Sequence, residues 1–168
     1  MNTKKVLGIL EYALSKEMEG MQFYESKAKT VKIKDVKETF ESLSGMEKSH
    51  VDYISGLIKD IKSHDYVHFS QPSDVGQSFT KRASQEIVYG GDFSAVKSDI
   101  PVLRMAYLIE EDFMNYYNKA AESVEDEDIK KILKHLAEWE KEHRDRIYTL
   151  YQKLSKDYWE HMDVEPLY

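Results

Sequence analysis

Glu47 and His50 stand three residues apart, and the same pair recurs as Glu140 and His143. On a helix that spacing puts a carboxylate and an imidazole on one face, close enough to bind the same ion. Glu17 and Glu110 each add a carboxylate on a further segment. A Glu from each of two helices and Glu-x-x-His from each of two others is the donor set with which a four-helix bundle holds two metal ions. With 18 Glu and six His in 168 residues, about 0.6 Glu-x-x-His matches arise by chance, so a single match means little. The spacing Glu17 to Tyr24, repeated as Glu110 to Tyr117, is weaker still, with about 1.3 accidental matches from 12 Tyr. The signal is that both motifs occur twice, at one offset, on apolar faces where charge is normally excluded.

The elements that must position these donors read as four helices. Val36, Phe40, Leu43, Glu47, His50, Ile54, Leu57 and Ile61 follow alternating steps of four and three, and Ile129, Leu133, Leu136, Glu140, His143, Ile147, Leu150 and Leu154 repeat the pattern. Val6 to Ala28 and Leu103 to Ala121 carry similar stripes, each with one Glu. The spacing predicts helices over 3–29, 33–64, 99–123 and 126–157, with Asp99 before Ile100-Pro101 as the start signal of the third. Acidic residues from Glu125 to Asp128 suit the positive end of the fourth.

A shift of 93 residues superposes Leu10–Ile61 on Leu103–Leu154 without a gap, bringing Glu17 onto Glu110, Tyr24 onto Tyr117, Glu47 onto Glu140 and His50 onto His143. The fold class is therefore all-α: a four-helix bundle of two repeated hairpins, 3–64 and 99–157, forming one domain over 1–168. Residues 65–98, broken by Pro72, Gly76, Gly90 and Gly91, form a long crossover between the second and third helices. A structureless loop of that length is unusual, which points to a short helix within Thr80–Tyr89.

The chain contains no cysteine, which excludes disulfides, thiolate zinc sites, iron–sulfur clusters and cysteine nucleophiles within these residues. A net charge of −7 argues against nucleic acid. The apolar N-terminus is interrupted by Glu11 and continues as helix, and no stretch approaches the ~20 apolar residues of a membrane span. A cytoplasmic domain is the expectation.

Four carboxylates and two imidazoles meeting inside an apolar bundle would repel and lack solvation, so a positive charge must join them. Two divalent cations balance Glu17, Glu47, Glu110 and Glu140. Carboxylate-rich ligation with one His per metal favours iron or manganese over zinc, and iron is the expected metal. Tyr24 lies two helical turns from Glu17, roughly 10 Å along the axis, so it cannot touch that carboxylate but can reach one on a neighbouring helix. With Tyr117 as its repeat mate, it reads either as a hydroxyl orienting a ligand in the other half or as a core tyrosine with a satisfied hydroxyl.

These residues resemble the rubrerythrin branch of the ferritin-like di-iron carboxylate proteins. The resemblance runs through Lys16-Glu17-Met18-Glu19-Gly20-Met21-Gln22-Phe23-Tyr24, Glu47-Lys48-Ser49-His50, Glu110 through Tyr117, and Glu140-Lys141-Glu142-His143, and it covers the four helices. It implies a ferritin-like fold with two irons held by Glu17, Glu47, His50, Glu110, Glu140 and His143, manganese being an alternative at one position. It further implies Glu47 and Glu140 as bridging carboxylates. The implied activity is a non-haem di-iron oxidoreductase of oxidative-stress defence, reducing hydrogen peroxide or oxygen. The alternative is a ferroxidase or iron-handling protein.

Two departures from the family matter. The rubredoxin module that rubrerythrins of the peroxidase type carry on four cysteines is missing, so an external redox protein must donate the electrons. The carboxylate those proteins place three residues after the third-helix ligand is replaced by Phe113. His64, His68, His135 and His161 have no matched ligand partner and are expected to be solvent-exposed or incidental. Gly20 and Gly45 interrupt helices, either opening space beside the metals or permitting close helix contact. The apolar tail from Tyr158-Trp159 to Tyr168 suits capping of the bundle or a homodimer contact.

Overall fold

The computed structural model of the chain describes residues 2–64 and 93–162, which form four helices. These are α1 (Thr3–Ala28), α2 (Lys34–His64), α3 (Phe93–Ser123) and α4 (Glu127–His161). The α1–α2 and α3–α4 hairpins each pack along their full length, and the halves meet along α1/α3 and α2/α4. Among the described residues no helix is long and apolar enough to cross a membrane. The short helix expected within Thr80–Tyr89, His68 and the tail beyond Met162 lie outside the described residues.

Helix ends follow local chemistry. Asn2 caps α1 by accepting from the Lys5 backbone N–H at 3.2 Å, and Asp126 caps α4 by accepting from Asp128 and Ile129 at 3.2 Å. The acidic residues Glu127 and Asp128 occupy the first turn of α4, where the helix dipole favours them. α4 also runs beyond the expected end at 157, through Trp159 to His161.

The third helix corrects the expected start. It begins at Phe93, not at Asp99, so residues 93–98 belong to α3 and not to the crossover, and Pro101 stands inside it. Burial explains the extension: Ala95, Val96 and Asp99 sit in the interior on the stripe that continues to Leu103 and Ala106. Pro101 cannot bond the Lys97 carbonyl, but both residues face solvent, where water can satisfy that carbonyl. Asp99 does not start α3. Its carboxylate accepts from the backbone N–H groups of Lys32 and Ile33 at 2.8 Å, holding the turn before α2.

Two apolar cores fill the bundle, one at each end. Val6, Leu10, Ile54, Ile61, Ile129 and Leu133 belong to one, and Phe40, Leu43, Leu103, Ile147 and Leu154 to the other. The helical stripe of each segment supplies both, because every stripe carries its polar donors midway. Between the cores, the carboxylates and imidazoles meet.

Candidate metal centre

Each helix brings its donors to this layer at the register the sequence implies. Glu17 comes from α1, Glu47 and His50 from α2, Glu110 from α3, and Glu140 and His143 from α4. All six are buried, the four carboxylates completely. Atoms of Glu47, His50, Glu140 and His143 gather within 4.8 Å of one another, a spacing that can hold a metal ion.

The oxygens divide into two sets around the two histidines. His50 Nδ1 lies 3.1 Å from Glu17 Oε2, 3.2 Å from Glu47 Oε2 and 3.2 Å from Glu140 Oε1. His143 Nδ1 lies 3.0 Å from Glu47 Oε1, 3.6 Å from Glu110 Oε2 and 3.6 Å from Glu140 Oε2. Glu47 and Glu140 thus turn one oxygen toward each histidine, while Glu17 attends only His50 and Glu110 only His143. A ring nitrogen carries at most one proton and can donate it to one acceptor well, so three oxygens around each Nδ1 are more than hydrogen bonding uses. Among the described residues, Glu47 Oε2, Glu110 Oε2 and both oxygens of Glu140 have no hydrogen-bond partner although they are buried. Buried carboxylate oxygens converging on an imidazole nitrogen are the donors a cation needs, and the residues fit a metal pair.

Electrostatics agrees. Burial, with Glu140 and Glu47 nearby, pushes the Glu17 carboxyl well above its ordinary range, and burial and Glu47 do the same to Glu110. Burial opposes a charge on Glu47 as well, but His143 and His50 beside it hold its carboxyl well below that range. Burial likewise opposes charge on the histidines, yet Glu140 and Glu47 raise His50, and Glu47 raises His143, well above the usual imidazole value. Protons collect in this layer for the same reason that a cation would.

The tyrosines cross between halves. Tyr24 of the first hairpin donates its hydroxyl proton to Glu110 Oε1 of the second, and Tyr117 of the second donates to Glu17 Oε1 of the first. Both rings are buried, and burial together with the adjoining carboxylate raises each hydroxyl well above its ordinary pKa, so each stays a donor. These bonds fix the two carboxylates that face a single histidine, whereas Glu47 is held through one oxygen by His143 Nδ1 and both Glu140 oxygens stay without a hydrogen-bond partner among the described residues.

Residues 5–153 match the family model of the ferritin-like domain. The chain belongs to the ferritin-like family. The ferritin-like fold is also seen in a hypothetical protein from Pyrococcus furiosus, which is similar to this chain with a TM-score of 0.64 and 24% identity, over 93% of this chain and 92% of that one. No curated protein matches the chain. In a ferritin-like bundle, the buried group of Glu47, His50, Glu140 and His143 is consistent with a di-iron site.

Around the ferritin-like centre the helical glycines Gly20 and Gly45 differ. Gly20 is a point of close approach: a Cβ added there would lie 3.3 Å from the Phe113 ring and 3.8 Å from the Glu47 stem. Gly45 has open space and serves neither purpose foreseen for it. His161 is exposed, but His135 is half-buried with its ring 4.6 Å from Trp139. Trp139 itself, and Tyr53 beside it, were not singled out by the motifs. Trp139 stacks on His50 with ring centroids 4.5 Å apart and planes within 4°. Its place one turn before His143, on the same stripe as His135, is the signal that could have marked it.

Proposed function

We propose that this ferritin-like chain is a rubrerythrin-type di-iron oxidoreductase, reducing hydrogen peroxide or oxygen with electrons delivered by another protein. The observation that carries the reading is the division of oxygens at Glu47 and Glu140, each of which faces both histidines. Two carboxylates shared in this way suit two metal ions side by side. Oxygen-rich donors with one imidazole per metal favour iron. When bound, such a pair supplies two one-electron redox centres able to act together on one small oxygen substrate.

The protein's own part is positional. Tyr24 and Tyr117 tie Glu110 and Glu17 across the halves, and the apolar cores above and below exclude bulk water. A pocket of about 200 Å³ on the α1/α3 seam, lined by Tyr12, Lys16, Asp112, Phe113, Tyr116 and Tyr117, gives a small substrate an approach that ends at a side chain hydrogen-bonded to Glu17. Reducing peroxide to two waters takes two electrons and two protons. The 168 residues contain no cysteine, so no cysteine-held electron-transfer centre lies within them and the electrons come from outside.

Phe113 favours a second reading, a ferroxidase that passes oxidised iron onward, because its ring occupies the place where peroxide-reducing relatives carry a carboxylate. Rapid mixing separates the two. The oxidoreductase reading expects the anaerobically reduced, iron-loaded protein to be oxidised stoichiometrically by peroxide, faster than by oxygen, and to turn over only with an added reductase and rubredoxin-like donor. Oxidation by oxygen at least as fast as by peroxide, with continued consumption of added iron(II), would establish the ferroxidase instead.

A further inference from the structure

A metal-binding histidine is ordinarily aimed by a hydrogen bond to the ring nitrogen that faces away from the metal. Here both histidines turn Nδ1 toward the carboxylates, His50 to Glu17 at 3.1 Å and His143 to Glu47 at 3.0 Å. The His50 ring also lies within a stack of rings. The Trp139 indole lies parallel to it at 4.5 Å, and His143 lies parallel to it at 5.1 Å with planes within 3°. Trp139 is braced in turn: Tyr53 of α2 meets it edge-on at 5.9 Å and 69°, and His135 of α4 at 4.6 Å and 60°. A flat plate held on two sides resists rotation of the imidazole about its own side-chain bond.

At the matching place in the other half, the described residues supply no such plate. One repeat away, Trp139 corresponds to Met46 and Tyr53 to Arg146. The Arg146 guanidinium lies 3.6 Å from the Met46 sulfur, an arrangement of two flexible side chains. The donor distances show the same inequality. Three oxygens stand 3.1–3.2 Å from His50 Nδ1, whereas His143 Nδ1 has one at 3.0 Å and two at 3.6 Å.

We propose that Trp139 is a positioning residue for His50, and that the metal position formed by His50, Glu17, Glu47 and Glu140 is preformed and fills before the position built on His143. The inference rests on the two-metal reading above but not on which substrate the centre reduces. A rigid donor set loses less freedom when an ion arrives, so the better-aimed position binds more tightly.

The test is a titration of metal-free protein with cobalt(II) in the absence of oxygen, followed by calorimetry and by the visible absorption of the bound ion. The wild-type chain should take up two equivalents in separable steps. His50→Ala should abolish the tighter step, and His143→Ala should retain it. Trp139→Met, which installs the residue the other half carries, should weaken the tighter step by ~10-fold and shift its absorption, with helical content unchanged. Trp139→Phe, which keeps a flat ring, should restore both to within about threefold of wild type. Loss of the tighter step in His143→Ala instead of His50→Ala would overturn the order of filling. A folded Trp139→Met protein with wild-type affinity and spectrum would overturn the positioning role. Should Trp139→Met not fold, Trp139→Phe decides: an altered tighter step despite its flat ring would overturn the stacking argument. A wild-type chain that binds fewer than two cobalt ions would instead remove the two-metal reading itself.

Discussion

The two hairpins deliver the same donors to the same layer, yet they close their turns by different means. In the second, Asp126 directly precedes α4 and caps it from within the chain. The matching position in the first is Ile33, whose side chain has no acceptor; the backbone N–H groups of Ile33 and Lys32 are held by Asp99 of α3. The first hairpin therefore borrows its closure from the second. The packing partners diverge as well, with Gly20 answering Phe113 and Met46 answering Trp139. The repeat is kept at the six donors and also along both apolar cores, as at Leu10/Leu103, Leu43/Leu136 and Ile54/Ile147, and it relaxes at neighbouring positions such as Met46/Trp139 and Gly20/Phe113.

The largest effect is expected where the halves are most alike. Glu47 and Glu140 each face both histidines, so Glu47→Ala or Glu140→Ala removes a donor from both positions at once. Metal analysis of the purified variants should show a fall from about two ions per chain to near none, while Glu17→Ala and Glu110→Ala keep about one. The helices should survive, because the apolar cores lie above and below the layer and loss of a cation together with a buried carboxylate removes opposing charges. Circular dichroism checks this. A Glu47→Ala protein still holding about two ions would mean that the shared carboxylates do not join the two positions.

That layer was legible in the sequence because two independent periodicities met in it. The helical stripes give the four helices, and the polar interruptions of each stripe give Glu17, Glu47, His50, Glu110, Glu140 and His143 a common level. The 93-residue offset pairs them, and the two-turn distance from Glu17 to Tyr24 shows that the hydroxyl cannot serve Glu17 and could reach a carboxylate on another helix. The start of α3 was not legible. Asp99-Ile100-Pro101 carries the local signature of a helix start, and only the tertiary burial of Ala95, Val96 and Asp99 overrides it. Trp139 was missed for a related reason. Its spacing from His143 marks its face of α4, but the His50 ring it stacks on comes from α2 and is brought to it only by the fold.

The difference in closure gives the next largest effect. Asp99→Ala leaves two backbone N–H groups without their acceptor inside the fold, at a position only 2% exposed, and should destabilise the metal-free protein by about 1–3 kcal/mol. Asp126→Ala removes a half-buried helix cap and should cost about 1 kcal/mol. Urea unfolding midpoints measure both, and metal content should stay at the wild-type level in each. If Asp126→Ala proved the more damaging, the first hairpin would not depend on α3 for its turn.

The smallest effects separate glycines that the repeat has filled in its second half. Gly45 and Gly56 correspond to Glu138 and Thr149, and a Cβ at either would meet nothing within 4 Å. Each lies in the interior of α2, so Gly45→Ala and Gly56→Ala should each stabilise by about 0.5–1 kcal/mol, the ordinary gain of alanine over glycine in a helix. Gly20 gains the same backbone term, but its new methyl would press on the Phe113 ring at 3.3 Å while making only ordinary contact with the Glu47 stem at 3.8 Å. The Phe113 ring edge is therefore the group that must move. The two contributions should nearly cancel, leaving Gly20→Ala within about 0.5 kcal/mol of wild type. The same change made in a Phe113→Leu chain, where the ring edge is gone, should recover the full alanine gain, a coupling of about 0.5 kcal/mol or more between residues that the repeat places opposite each other. Equal stabilisation by Gly20→Ala and Gly45→Ala in the wild-type chain would show that Phe113 moves aside freely, and the pairing of a small residue in one half with a large one in the other would then carry no packing requirement.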